Sequence, residues 1–175
     1  MERIVIIGNS GSGKSYLAHR LRDRLGYPLI HLDDLFWEPG GFNKKRPNDV
    51  VNAEIARLAQ GRNWIVEGVF GELAQTFFPN ADYLIWLDLD QETCLNSLKQ
   101  RGSDSGAQPD QAAAEASFQR LLAWAAAYWE RDGLRSWRGH QQLFEAFSAS
   151  KSYLRSRAAV NAFVTSPLPT SEDDV

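Results

Sequence analysis

The sequence predicts an α/β fold in which a parallel β-sheet is covered by helices on both faces. Three observations indicate this fold: short apolar stretches alternate with helical ones, a glycine-rich loop follows the first strand, and the early strands end at a glycine or a carboxylate. Ligands of such sheets bind at the carboxyl ends of the strands. We therefore expect the functional site at that edge, beside the glycine-rich loop.

The length and composition are those of a globular domain. The chain has 175 residues, of which 43% are hydrophobic and 23% charged. This size favours one domain with a real core, predicted over residues 1–166. The net charge of −3 disfavours non-specific binding to nucleic acid or to anionic membranes, because both need a positive field.

Cysteine usage and hydropathy bear on the compartment. The one cysteine, Cys94, cannot form an internal disulfide, so no oxidising compartment is required. The apolar stretch near the N-terminus is too short for a signal peptide, and no later stretch is long enough to span a bilayer. A cytoplasmic protein without membrane contacts is therefore expected.

The elements follow from the apolar pattern of the chain. Leu17, Leu21 and Leu25 form one stripe of a first helix, which Gly26 ends. Five strands are predicted, at residues 4–7, 29–32, 64–66, 83–87 and 152–155. The later helices are predicted over residues 47–60, 72–78, 91–100, 111–131, 140–147 and 157–164.

Two stretches interrupt this pattern. Gly102-Ser103-Asp104-Ser105-Gly106 is typical of a mobile loop. Together with the helix that follows, it predicts a lid over approximately residues 102–131. Residues 167–175 are rich in Pro, Ser and Asp and predict a disordered tail.

Residues 8–15, Gly-Asn-Ser-Gly-Ser-Gly-Lys-Ser, match the motif G-x-x-x-x-G-K-[ST] between a strand and a helix. Glycines let the backbone curl tightly, so that its N–H groups form a nest for phosphate where the helix begins. Lys14 is expected to reach the β- and γ-phosphate oxygens, and the Ser15 hydroxyl to take one Mg²⁺ position. The nucleotide-binding residues are predicted to be Gly8, Asn9, Ser10, Gly11, Ser12, Gly13, Lys14, Ser15 and Tyr16.

Acidic side chains at the strand ends are candidates for metal binding and catalysis. Mg²⁺ on phosphates usually keeps several waters, which carboxylates hold, and Glu67 at the end of the third strand is predicted to support the metal with Ser15. Asp33 ends the predicted second strand, where it could take the proton of an acceptor hydroxyl. Asp34 and Asp88 fit the same edge, but a solvated acid or a helix cap explains them as well.

A transferring phosphoryl group carries negative charge, so cationic side chains must reach it. Arg101 precedes the glycine-rich break and Arg131 lies on the helical stretch beyond it, so both are predicted to be catalytic residues of the closing lid. Arg120 is an alternative lid arginine. Lys44-Lys45-Arg46 is either a solvated cluster or an attractor for an anionic acceptor, and Phe36 and Trp37 are candidates for lining the acceptor site.

Four segments resemble the bacterial adenylate-kinase-related P-loop kinases, some of which are labelled DNA topology modulation proteins. These segments are residues 8–15, 31–37 (His-Leu-Asp-Asp-Leu-Phe-Trp), 64–68 and 86–89. The resemblance covers residues 1–101 well. It implies a three-layer P-loop NTPase fold with a five-stranded parallel sheet in the order 2-3-1-4-5, a helical lid, and ATP as the phosphoryl donor.

The family is similar in architecture to nucleoside monophosphate kinases, and the chain departs from those kinases at two arginine positions. In adenylate kinases the third strand ends in Asp-Gly-Phe-Pro-Arg, whereas residues 67–71 here read Glu-Gly-Val-Phe-Gly without an arginine. Those kinases also often carry an arginine four residues before the one that matches Arg101, and here that position is Ser97. The donor-side contacts are therefore either fewer or supplied by the lid.

These observations favour a Mg²⁺-dependent phosphotransferase that moves the γ-phosphate of ATP to a small-molecule acceptor, similar to a nucleotide kinase or shikimate kinase. The alternative is a nucleotide-dependent regulatory or binding protein with only slow NTP hydrolysis. The sequence leaves the acceptor, the base preference and the oligomeric state open.

Overall fold

Five parallel strands form one sheet in the computed structural model, which describes residues 1–39, 44–102 and 111–167. The strand order is β2-β3-β1-β4-β5, and every pairing is parallel. The strands are β1 (Arg3–Gly8), β2 (Leu29–His31), β3 (Trp64–Gly68), β4 (Tyr83–Leu87) and β5 (Ser150–Leu154). The predicted fold class and strand order are therefore confirmed.

Helices pack on both faces of this sheet. They are α1 (Lys14–Leu25), α2 (Leu32–Phe36), α3 (Asn48–Ala59), α4 (Gly71–Phe77), α5 (Gln91–Arg101), α6 (Gln111–Ala126), α7 (Trp137–Ala146) and α8 (Arg157–Thr165). Short 3₁₀ turns follow α4 and α6, at Phe78–Asn80 and Ala127–Trp129. The break predicted at residues 102–106 and the tail predicted at 167–175 lie outside the described residues, apart from Gly102 and Pro167.

The alternation of β1 explains why the sheet has a core on each side. Val5 and Ile7 pack into one cluster with apolar residues of α3, α4 and α7. Ile4 and Ile6 pack into the other cluster with residues of α1 and α8. All four side chains are fully buried, so the two clusters hold β1 at the centre of the sheet.

The second strand is shorter than its apolar run suggests. Residues 29–32 were predicted as strand, but β2 ends at His31 and α2 begins at Leu32. Asp33 and Asp34 lie in the first turn of α2, where the helix dipole favours negative charge. The prediction that Asp33 ends a strand is therefore wrong, although the residue still lies at the carboxyl edge of the sheet.

The long helix predicted over residues 111–131 also ends early, at Ala126. The next three residues tighten into a 3₁₀ turn. The last carbonyls of α6 accept hydrogen bonds from the side chains of Asn9, Gln91 and Arg131. Local helix propensity does not reveal such contacts. In the described ranges, no helix combines the length and the apolar character that crossing a bilayer requires.

A buried histidine joins three segments below the carboxyl edge of the sheet. His140 of α7 is fully buried, and its Nε2 lies 3.1 Å from the carbonyl oxygen of Val69. Since a carbonyl can only accept, Nε2 carries the proton and Nδ1 accepts from the Tyr128 hydroxyl at 2.6 Å. Burial lowers the pKa of His140 to about 3, so the imidazole is neutral.

Because His140 is buried as a neutral imidazole, we expect the free energy of unfolding to fall as the pH is lowered. The unfolded chain gains this proton near the ordinary His pKa of 6.5, whereas the folded protein gains it only near pH 3. Between these values protons bind the unfolded state preferentially. The free energy of unfolding should therefore fall by up to about 1.4 kcal/mol per pH unit from this group.

We expect denaturant titrations of His140→Gln to show a smaller acid-dependent loss of stability than the wild type, although the variant is less stable near neutral pH. The matched control is His19→Gln on α1, which leaves both hydrogen bonds of His140 intact and should keep the wild-type slope. An acid slope for His140→Gln equal to that of the wild type would show that His140 does not carry this proton linkage.

Candidate active site

A cleft of about 940 Å³ opens at the carboxyl edge of the sheet. The loop between β1 and α1 forms its floor, α6 forms one wall, and the residues after β3 form another. Of the nine residues predicted to bind nucleotide, those at positions 10–16 line the cleft. Gly8 and Asn9 lie behind that surface, where they connect the loop to β4 and α6.

The loop curls because it is pressed against its neighbours. A Cβ on Gly8 would lie 2.5 Å from the Leu87 carbonyl oxygen, and a Cβ on Gly11 would lie 2.2 Å from that of Cys94. Both glycines also have a positive φ, of 152° and 79°. Side chains at these positions would therefore push the loop away from β4 and α5.

The curled loop presents hydrogen-bond donors of the kind that bind a polyphosphate. The amides in the first turn of a helix lack intrahelical acceptors, and in α1 no side-chain cap accepts from them either. The Ser12 hydroxyl is buried and has no hydrogen-bond partner among the described residues. The Lys14 ammonium donates to the Asn9 carbonyl at 2.9 Å. These groups together form an anion site at a helix N-terminus.

Glu67 is the most enclosed carboxylate of the cleft. Its Oε1 accepts from the Ser15 hydroxyl at 2.9 Å and from His31 Nδ1 at 2.6 Å. Burial alone would raise the pKa of Glu67, but the His31 hydrogen bond and the Lys14 charge outweigh it and hold the pKa below its usual value. The hydrogen bond to Glu67 also raises the pKa of His31, which favours the charged imidazolium beside this carboxylate.

The donor set around Ser15 fits a Mg²⁺ ion that is held mainly by phosphates and water. A hydroxyl and an ionised carboxylate converge there. Among the described residues, no three His, Cys, Asp or Glu side chains form a metal cage of their own. Mg²⁺ commonly binds through one or two carboxylates together with substrate phosphates, so Ser15 and Glu67 are suitable partners.

Asp33 lines the cleft, whereas the neighbouring Asp34 is exposed outside it. Burial raises the pKa of Asp33, and the Lys14 charge offsets part of the rise. The third candidate, Asp88, instead accepts from the Trp137 indole at 3.0 Å and from the Tyr153 hydroxyl. The helix cap that was the alternative for Asp88 is supplied by Asp90, which accepts from the Thr93 amide.

The predicted lid arginines differ in where they point. Arg101 and Arg120 line the cleft. Arg131 does not line it: its guanidinium donates to the carbonyls of Trp124 and Arg135 and lies 3.5 Å from the centre of the Trp124 ring. Burial lowers the pKa of Arg131 to about 10. In this conformation Arg131 therefore joins the end of α6 to the segment that follows it.

Sequence reasoning missed Arg135 as a residue of the cleft. Its guanidinium lies 4.5 Å from the Phe36 ring centre and 4.4 Å from that of Phe70, and it pairs with Glu72. Phe36 is buried, while Trp37 lines the cleft. The missing arginine after β3 was the signal that could have prompted a search for a cation elsewhere.

Arg157 was also missed. It lies at the start of α8, lines the cleft and donates to the Ser97 hydroxyl. Position 97 is where the resemblance led us to expect an arginine. The Ser97 hydroxyl at this position accepts a hydrogen bond from Arg157, whose guanidinium comes from a different helix. Sequence spacing could not show this contact.

The sequence and the fold resemble those of known kinases. A family model described as an AAA domain matches residues 4–117. A Thermococcus kodakarensis protein provisionally named an adenylate kinase is 28% identical over 99 residues, covering 57% of this chain and 56% of that protein. The shikimate kinase of Symbiobacterium thermophilum is 31% identical over 115 residues, covering 57% of this chain and 64% of the relative.

A solved structure, shikimate kinase from Acinetobacter baumannii in complex with shikimate, aligns with a TM-score of 0.50 at 13% identity. The alignment covers 92% of this chain and 88% of that one, and at this identity it shows the fold alone. The chain spans less than two thirds of the length of both curated relatives. The matches therefore show a P-loop kinase-like domain related to adenylate and shikimate kinases.

Replacing Glu67 with glutamine tests whether its carboxylate supports a metal ion beside Ser15. The variant keeps the size of the side chain but loses its charge. We therefore expect Mg²⁺ to strengthen ATP binding in the wild type about 10- to 100-fold more than in Glu67→Gln. Calorimetric titrations with ATP, in Mg²⁺ or in EDTA, measure this difference.

The control for this comparison is Glu54→Gln, which removes a carboxylate that pairs with Arg57 at the surface of α3. It should show the wild-type effect of Mg²⁺. If Glu67→Gln gains as much affinity from Mg²⁺ as the wild type does, Glu67 has no part in holding the ion.

Proposed function

Since this chain belongs to the family described as an AAA domain, we propose that it is a Mg²⁺-dependent phosphotransferase that moves the γ-phosphate of ATP to a small-molecule acceptor. One observation carries the proposal: the cleft that contains the phosphate-binding loop is also lined by the carboxylate of Asp33. Glu67 and Ser15 already supply protein groups for a metal ion, so the second carboxylate, Asp33, is available for an acceptor hydroxyl.

The donor side is built from the loop and α1. Lys14 would leave the Asn9 carbonyl and place its charge on the β- and γ-phosphates, while the first-turn amides of α1 hold the phosphate oxygens. Ser15 and Glu67 would hold Mg²⁺, which would neutralise charge on the transferring group. The hydrogen bond between His31 and Glu67 favours the ionised form of Glu67 for that role.

The acceptor side is built around Asp33. The oxygen of an acceptor hydroxyl would form a bond to the γ-phosphorus as the bond to the bridging oxygen breaks and ADP leaves. The hydroxyl proton would go to Asp33, whose pKa is raised by burial and which is therefore a better base than an ordinary aspartate. The nearby charge of Lys14 opposes this rise and favours the ionised carboxylate.

Cations from several elements surround the path of the phosphoryl group. Arg101 and Arg120 come from the end of α5 and from α6, and Arg157 comes from the start of α8. We propose that these three arginines stabilise the negative charge on the phosphates. Arg131 is not assigned this role, because it does not line the cleft and its guanidinium donates to two backbone carbonyls.

Arg135 indicates the chemistry of the acceptor. Two aromatic rings and Glu72 fix its guanidinium on the side of the cleft that Phe70 and Trp37 also line. A fixed guanidinium recognises a carboxylate or a phosphate. We therefore propose an acceptor with an anionic group and a reactive hydroxyl or phosphate oxygen, and both adenylate and shikimate, which the names of the relatives contain, are anions.

Asp33→Asn tests the assignment of the base, with Asp34→Asn as its matched control one residue away. If Asp33 accepts the proton, the Asn variant should lose about 100- to 10,000-fold in kcat, while its affinity for ATP changes little. Asp34→Asn should keep wild-type turnover, since Asp34 is exposed outside the cleft. A coupled assay of ADP release with a panel of anionic hydroxyl compounds and nucleoside monophosphates measures turnover.

The same assay separates the proposal from its alternatives. If no acceptor raises ADP release above a slow basal hydrolysis, the chain is a nucleotide-dependent binding or regulatory protein and the phosphotransferase assignment fails. If a hydroxyl acceptor works but Asp33→Asn turns over as fast as the wild type, another group takes the proton. Membership of the DNA topology modulation group and a cytoplasmic location stay predictions.

A further inference from the structure

The C-terminal end of α6 is held by three side chains, two from distant segments of the chain and one from the stretch that directly follows the helix. The carbonyl of Trp124 accepts from Arg131, that of Ala125 accepts from Asn9 at 2.9 Å, and that of Ala126 accepts from Gln91 at 2.9 Å. The last carbonyls of a helix lack intrahelical donors, so such contacts satisfy them. We call these three hydrogen bonds the α6 anchor.

The α6 anchor determines how one wall of the cleft is positioned. One face of α6 lines the cleft, through Ala114, Ser117, Phe118, Leu121 and Trp124, and Arg120 lies beside it. Because a helix is stiff along its axis, the position of its anchored end controls where this whole face lies. A change at the anchor therefore changes the distance between Arg120 and the phosphate loop.

One member of the anchor is part of the phosphate loop itself. The Asn9 side chain is buried, with 1% of its surface exposed. Its Oδ1 accepts from the Ser10 amide at 2.8 Å, while its Nδ2 donates to Ala125. Its backbone carbonyl accepts from the Lys14 ammonium. Asn9 therefore touches a residue that would bind phosphate and the end of α6 at the same time.

We propose that Asn9 is a positioning residue that couples occupancy of the phosphate loop to the position of α6, so that bound nucleotide stabilises the α6 anchor. Phosphate contacts with the loop amides restrict the motion of Asn9, and the bond from Nδ2 to Ala125 then costs less ordering entropy. By reciprocity, a well-positioned α6 favours nucleotide binding. The inference rests on the nucleotide binding of the proposed function, but not on any transfer step.

Hydrogen exchange of α6, with and without ADP and Mg²⁺, tests this coupling in the full chain. In the wild type, saturating ADP should slow exchange of the amides in residues 121–129 about five-fold, the effect of one ordinary hydrogen bond on an equilibrium. Asn9→Ser keeps a hydroxyl for the Ser10 amide but is too short to reach Ala125. It should bind ADP, measured by calorimetry, and lose this slowing.

Gln91→Leu is the matched control, because it removes the adjacent hydrogen bond of the anchor from a side chain outside the phosphate loop. Residues 121–129 should exchange faster in this variant without nucleotide, yet the slowing on ADP should remain. An equal loss of the ADP effect in Gln91→Leu and in Asn9→Ser would mean that the anchor acts only as general support for α6, and the coupling role of Asn9 would be wrong.

The remaining outcomes also decide the matter. If Asn9→Ser bound to ADP shows the wild-type slowing, the proposal is overturned. If the wild type binds ADP without slower exchange in α6, this inference fails while the proposed function stands, and if the wild type binds no ADP both fail. Should Asn9→Ser not fold, the wild type decides alone: the slowing must be larger in residues 121–129 than in residues 114–118.

Discussion

The close contact of the phosphate loop with β4 and α5 is the constraint on which the site depends. Gly8 and Gly11 lie so near the carbonyls of Leu87 and Cys94 that no other residue type fits without moving the backbone. This contact turns the chain sharply after β1 and directs the uncapped N-terminus of α1 towards the cleft. The same turn places Asn9 against the end of α6. One steric condition therefore positions the anion site and fixes its distance from the wall opposite.

Charge is distributed unevenly around that turn. The cations of the cleft come from five different elements or loops. Its two enclosed carboxylates lie closer together in the fold: Glu67 is on β3, and Asp33 is in the first turn of α2, directly after the neighbouring strand β2. Their surroundings shift the two pKa values in opposite directions: burial dominates for Asp33, while His31 and Lys14 prevail over burial for Glu67. Two chemically similar groups thereby become suited to different tasks, one to proton transfer and one to holding positive charge. An anionic substrate would relieve the repulsion among the guanidinium groups.

Short-range patterns predicted most of the fold. Strand and helix order follow from β-branched runs and from the leucine stripe of α1, and the strand order 2-3-1-4-5 came from the resemblance of a few motifs. The phosphate loop was likewise predictable, because its sequence motif specifies it. The Ser15–Glu67 contact was predictable because the carboxyl ends of parallel strands meet at one edge of the sheet. Arg135 and Arg157 were not, since their approach to the cleft depends on packing across distant helices. The early end of α6 escaped prediction for the same reason, because its carbonyls are satisfied from residues 9, 91 and 131.

The central claim is that the loop beside Lys14 binds the phosphates of a nucleotide, and calorimetric titration with ATP and Mg²⁺ tests it most directly. The wild type should bind one equivalent, and Lys14→Met should bind about 10- to 100-fold more weakly because a charge-assisted contact to phosphate is lost. Lys45→Met, which removes a cation outside the cleft lining, should bind like the wild type. No heat and no saturable binding in the wild type, or an unchanged affinity in Lys14→Met, would contradict this account.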